Sequence, residues 1–157
     1  MFLTRQDSIG ALIHRIARSS IKALQAELEP LGLTAAQFFI LQCLSRETGQ
    51  TQKALAEHLE ITSPSLTAML KPLEEKGLIR RETDSRDARA KLIYLTDEGK
   101  KFLRHRILPT VRRLEERLLS GFSERERQML AGELERMAEN VKEYEKECRA
   151  ARSGPKI

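Results

Sequence analysis

Residues 51–77 read Thr51-Gln52-Lys53-Ala54-Leu55-Ala56-Glu57-His58-Leu59, then Glu60-Ile61-Thr62, then Ser63-Pro64-Ser65-Leu66-Thr67-Ala68-Met69-Leu70-Lys71-Pro72-Leu73-Glu74-Glu75-Lys76-Gly77. Thr51 can cap a short helix over 52–59 whose inner stripe is Ala54, Leu55 and Leu59. After a three-residue connection, Ser63 can cap a second helix with Pro64 at its first position, where a missing N–H is harmless. Leu66, Met69, Leu70 and Leu73 mark the inner face of that helix, and Gly77 with Leu78 reads as a left-handed stop. Helix, tight connection and second amphipathic helix make a helix-turn-helix. Pro72 cannot donate to the carbonyl of Ala68, so a kink or an early loosening is expected there.

Working outward toward the C-terminus, Ile79-Arg80-Arg81-Glu82 and Ala90-Lys91-Leu92-Ile93-Tyr94-Leu95 are extended runs joined by polar residues 83–89. They predict a two-stranded β-hairpin wing with a charged tip. Thr96 can cap a helix from Asp97 to about Leu119, with Leu103, Ile107, Val111, Leu114 and Leu118 inside and a bend at Pro109. Ser123 and Glu126 form a capping box for a last helix. There Leu130, Leu134, Met137, Val141, Tyr144 and Cys148 follow a heptad seam that needs a partner.

Toward the N-terminus, Ile9, Leu12, Ile13, Ile16, Ala17, Leu24 and Leu28 predict an amphipathic helix over 5–29, ended by Pro30 and Gly32. Thr34 can cap a second helix to about Arg46, apolar over most of its circumference at Phe38, Phe39, Ile40, Leu41 and Leu44. The fold class is therefore mostly α: a winged helix-turn-helix over 34–96, with helical dimerisation segments at 5–33 and 97–148. Residues 149–157 lack apolar periodicity and are expected to be disordered.

Composition agrees. The chain has 157 residues, 4% aromatic and without Trp, and its 8 Gly and 5 Pro are too few for a turn-rich β-sandwich. No apolar run approaches the roughly 20 residues of a membrane span, and the N-terminus lacks a signal peptide's apolar region, so a cytoplasmic location is expected. Cys43 and Cys148 have neither disulfide-framework nor zinc-site spacing. His14, His58 and His105 fall on three separate helices, so no metal, cofactor or catalytic constellation is indicated, and both isolated His14 and His105 read as ordinary, partly buried residues. The net charge of +5 permits a nucleic-acid partner. Part of that excess lies in residues 76–91, where Lys76, Arg80, Arg81, Arg86, Arg89 and Lys91 face three acidic residues.

The second helix of the motif turns Ser65, Thr67, Ala68 and Lys71 away from its apolar side, a small polar surface that fits a major groove. In the hairpin tip Asp87 can hold Arg89 extended, with Arg86 beside them, and an inserted arginine suits the negative potential of a narrow minor groove. Two other readings use the same residues: a winged helix that docks on an acidic protein without specific DNA binding, or a redox-responsive regulator working through a cysteine. Cys43 lies in an apolar helix, where desolvation favours an inert thiol.

Several stretches together resemble the MarR (multiple antibiotic resistance regulator) family over about residues 5–148. They are Thr51 to Ala56, Ser63 to Thr67, Leu73 to Ile79, and above all Asp84-Ser85-Arg86-Asp87-Ala88-Arg89 followed by Leu95-Thr96-Asp97-Glu98-Gly99. The resemblance implies a homodimer, formed by the first and last two helices, that reads a pseudo-palindromic duplex DNA operator and regulates transcription. It also implies a small-molecule effector. By the family pattern Ser63, Ser65, Thr67, Ala68 and Lys71 belong to the recognition helix, Arg86, Asp87, Arg89 and Lys91 to the wing, and Thr51, Gln52 and Arg81 to DNA backbone contacts. The implied dimer interface holds Leu12, Ile16, Leu130, Leu134, Met137 and Val141.

Overall fold

The computed structural model describes residues 8–47, 49–85 and 90–152. Its elements in chain order are α1 (Ile9–Leu28), a 3-10 turn (Glu29–Leu31), α2 (Ala35–Arg46), β1 (Gln50–Thr51), α3 (Gln52–His58) and α4 (Ser63–Glu75). Then follow β2 (Ile79–Thr83), β3 (Lys91–Leu95), α5 (Asp97–Phe102), a π-helical turn (Leu103–Ile107), α6 (Leu108–Leu118) and α7 (Glu124–Arg152). Two compact units divide the chain, Met1–Glu116 and Arg117–Ile157.

The first unit packs around Leu28, Ile40, Leu41, Leu44, Leu55, Leu66, Leu70, Leu73, Ile93 and Ile107, all fully buried. Local chemistry sets its helix ends. Ser8 caps α1, and Thr34 forms a reciprocal capping box with Gln37 at the start of α2. Gly32 and Gly77 stand at positive φ, where the amide of each following leucine reaches back five residues to a helix carbonyl. Gln37 is buried, and its amide donates to the Met69 carbonyl at 3.4 Å, tying α2 to α4.

Several expectations change. The β2–β3 hairpin of the wing forms, with Ile79 opposite Leu95 and Thr83 opposite Lys91, but β1 adds an unforeseen third strand on β3 to give an antiparallel sheet of order β1-β3-β2. Two residues are too few to show periodicity. The cap of α4 is Thr62, which accepts from the Ser65 amide, so Ser63 is already helical and Pro64 takes the second position. That position also has no intrahelical acceptor for an N–H, so proline remains harmless. The inner stripe of α3 uses Ala56 in place of Ala54, which is exposed. α4 does not loosen early at Pro72 but runs on to Glu75: the proline lies three residues before the helix end, and the carbonyl it deprives belongs to exposed Ala68, within reach of water. The long fifth helix does not simply bend at Pro109. Proline crowds the carbonyl four residues back, and the helix widens just ahead of it into a π turn, closed by the Leu108 amide on the Leu103 carbonyl. Finally, Phe39 and Leu118 are exposed, and α7 runs on to Arg152, so residues 149–152 are helical and not disordered.

In the second unit, Ser123 and Glu126 form the expected capping box at the start of α7. Arg127 folds back to donate to the carbonyls of Leu119 and Phe122. Among the described residues of α7 none is buried.

Candidate nucleic-acid interface

The turn between α3 and α4 rests on a residue that sequence reasoning passed over. Glu60 has φ 54, the only positive value at a described non-glycine residue. Its amide bonds the Glu57 carbonyl, and the Ile61 amide bonds the Ala56 carbonyl, the same closure that Gly32 and Gly77 provide elsewhere. This turn reverses the chain sharply enough to place α4 beside α3.

On α4, Ser63, Ser65, Thr67, Ala68 and Lys71 are all exposed; Thr67, Ala68 and Lys71 share the face turned away from Leu66, Leu70 and Leu73, and Ser63 and Ser65 stand in the exposed first turn. Their polar groups are internally organised. The Ser65 and Thr62 hydroxyls lie 2.8 Å apart, and Thr67 Oγ1 donates to the Ser63 carbonyl at 2.9 Å. Gln52 Nε2, from the start of α3, donates to Thr67 Oγ1 at 2.6 Å. Thr51 accepts from the Ala54 amide and is committed to capping α3. Lys71 stands 3.9 Å from Glu75 with both side chains well exposed, an ion pair too solvated to restrain it.

In the wing, strand alternation separates Arg81, expected at the DNA backbone, from its neighbour Arg80. Arg81 turns inward to Glu74 of α4 at 3.1 Å with a largely covered side chain, so its charge is already matched within the protein. Arg80 points outward, stacks on the Tyr94 ring at 4.5 Å and pairs with Glu82. The missed signal was the two-residue period: Ile79 is buried, so Arg81 shares its face and Arg80 does not. Lys91 is exposed and donates to Thr83 Oγ1 across the β2–β3 pair at 2.7 Å. The last described rung toward the tip is the Asp84 amide on the Ala90 carbonyl at 3.0 Å. Arg86, Asp87 and Arg89 lie outside the described residues.

The base of the wing is locked by Thr96. Its hydroxyl donates to the Gly77 carbonyl at 2.6 Å and accepts from the Gly99 amide at 2.9 Å, while its own amide bonds the Leu78 carbonyl. The turn that follows α4 and the first turn of α5 thus meet at the Thr96 side chain, directly after β3. Asp97, exposed in the first turn of α5, accepts from Lys100 at 2.9 Å, and that bond with the Lys100 charge holds its carboxyl below its ordinary value.

Elsewhere, burial pushes the Cys43 thiol up, opposed by the Arg46 charge. His14 and His105 are exposed instead of partly buried, as is His58. Among the described residues no group of three His, Cys, Asp or Glu is placed to hold a metal ion, and no helix is long and apolar enough to cross a membrane. Of the residues expected at a dimer interface, Ile16, Leu130, Leu134 and Val141 are exposed, and Leu12 and Met137 are half-buried.

The fold has close counterparts among solved structures. A crystal structure of MarR superposes with a TM-score of 0.82 at 30% identity, covering 94% of this chain and 99% of that one. A MarR transcriptional regulator from Methanosarcina mazei Go1 gives 0.79 at 30% identity, over 87% and 97%. The MarR family profile matches residues 33–91, from the end of the first helix-to-helix connection into the wing. The uncharacterized HTH-type transcriptional regulator YwoH of Bacillus subtilis (strain 168) is 35% identical over 120 residues, 74% of this chain and 86% of that protein. The chain belongs to the MarR family. As a MarR-family protein it is a DNA-binding transcriptional regulator and not an enzyme.

Proposed function

We propose that this MarR-family regulator binds a pseudo-palindromic operator as a homodimer in the cytoplasm and represses transcription until a small ligand releases it. The observation that carries the DNA contact is the exposed row Ser63, Ser65, Thr67, Ala68 and Lys71 on a helix braced from behind by Leu66, Leu70 and Leu73. Residues 34–96 act as the DNA-binding part, with α4 in the major groove and Arg89, held by Asp87, in the adjacent minor groove beside Arg86 and Lys91. Thr51, at the start of α3, borders that surface on the side of the DNA backbone, and Gln52 beside it joins the surface through its bond to Thr67. Residues 5–33 and 97–148 supply the dimer contacts, supported by the exposure of Ile16 on α1 and of Leu130, Leu134 and Val141 on α7. An effector is supported by a cleft of about 280 Å³ lined by Leu44, Ser45, Leu95, Lys100, Leu103, Arg104 and Leu108, which joins leucine side chains to two cations.

Selection of bound duplexes from random DNA tests this reading. The expected product is a two-fold sequence with half-sites about one helical turn apart, bound more weakly as salt rises. Enrichment of a single unrepeated site, or of none, overturns it.

A further inference from the structure

The Thr67 hydroxyl is exposed on the groove-facing side of α4, yet it is engaged twice inside the protein. It donates to the Ser63 carbonyl at 2.9 Å and accepts from Gln52 Nε2 at 2.6 Å. A threonine hydroxyl has one hydrogen and two lone pairs. The hydrogen and one lone pair are therefore spent, leaving outward one lone pair and the Cγ2 methyl. Threonine in a helix divides between two side-chain rotamers because its hydroxyl can bond the preceding turn. A second bond, from a residue on a different helix, selects one of them.

We infer that Gln52 is a positioning residue for sequence readout: it holds Thr67 as an acceptor that selects a base presenting an exocyclic amino group, adenine or cytosine, and rejects guanine. The inference rests on the proposed entry of α4 into the major groove. There adenine and cytosine each present an amino donor, whereas guanine presents only the N7 and O6 acceptors. Acceptor facing acceptor leaves both groups desolvated and unpaired. A free threonine would turn its hydrogen toward guanine, but this one has none to turn. Gln52 thus differs from a residue that touches phosphate, because a phosphate contact changes affinity alike on all sequences while a positioning residue changes the preference at one base pair.

The test uses the full chain as parent, Gln52→Ala, Thr67→Ser, Thr67→Val and the Gln52→Ala/Thr67→Val pair. Each is checked for helix content by circular dichroism and carried through selection on random duplexes at fixed salt. Single-base variants of the enriched duplex are then titrated. For the parent, one position in each half-site should favour adenine or cytosine over guanine by about tenfold or more. Thr67→Ser, which keeps the hydroxyl, retains that preference. Thr67→Val loses it at that position alone, and Gln52→Ala relaxes it at the same position. The paired variant matches Thr67→Val, because Gln52 has then no hydroxyl to hold. If Gln52→Ala weakens every duplex alike with base preferences unchanged, or alters a different position from Thr67→Val, the inference fails while groove entry stands. A parent that enriches no two-fold sequence overturns groove entry itself, and the inference with it.

Discussion

At Gly99 a hydrogen stands where any other residue would place a carbon: a Cβ there would lie 2.1 Å from the Leu78 carbonyl oxygen and 2.9 Å from Leu95 Cδ1. That carbonyl cannot yield easily, because it also accepts from the Thr96 amide at 3.1 Å. Gly99→Ala should therefore cost about 3 kcal/mol of unfolding free energy, the upper part of the usual overpacking range, read from the midpoint of denaturant unfolding. A loss under about 1 kcal/mol would mean that α5 slides freely against the wing base. The Thr96 cap was legible in the sequence because it depends on residues three apart; the need for Gly99 was not, since its neighbour is Leu78, far away along the chain. Cys43 gives a second residue-scale expectation. Burial raises its folded-state pKa above the unfolded value, so its contribution to stability is fully present below the unfolded value and lost as pH rises through the folded one. At neutral pH the folded protein should therefore alkylate at Cys43 more slowly than the unfolded chain, with the rate climbing in alkali. Equal rates for folded and unfolded protein would restore a redox role for this thiol.

Between residue and whole chain, the turn joining α3 to α4 shows what patterning carries and what it omits. Its place was legible, between two apolar stripes, although it takes four residues, 59–62, and not the three expected; its handedness was not, because Glu60 does not advertise a left-handed backbone as Gly32 and Gly77 do. An L-residue pays a steric cost there from its Cβ, so Glu60→Gly should stabilise the fold by about 1 kcal/mol without shifting either helix. The readout is the unfolding midpoint together with unchanged operator preference. A destabilisation would show instead that the Glu60 side chain makes a contact worth more than the strain. The other unread elements fail for similar reasons. β1 is two residues long and recognisable only by its partner β3, and the π turn answers to Pro109 just beyond it. Within the candidate site, the polar row on α4 was legible from its period, whereas the inward turn of Arg81 toward Glu74 needed the buried neighbour Ile79 to fix the strand's phase.

For the molecule as a whole, α7 poses the decisive physical question. It is 29 residues long, none of its described residues is buried, and Leu130, Leu134, Val141 and Tyr144 are exposed along one seam. A long helix with no core of its own gains most of its stability from packing an apolar stripe, so a single chain leaves this one without its main support. On the proposed reading a second copy covers the stripe, with α1 offering further exposed apolar positions at Ile9, Ile13 and Ile16. Light scattering at micromolar concentration should then report twice the chain mass of 18.0 kDa. Leu134→Glu with Val141→Glu places charges on the seam, and unlike a core change it leaves Leu55, Leu66 and Ile93 untouched. The variant should retain the helix content of the Met1–Glu116 unit yet run as a monomer. Its operator affinity should fall by at least about 100-fold, since tethering two recognition helices multiplies affinity by roughly that much or more. A monomeric parent that still binds its operator tightly would remove the dimer from the mechanism, and a variant that stays dimeric would move the interface off α7.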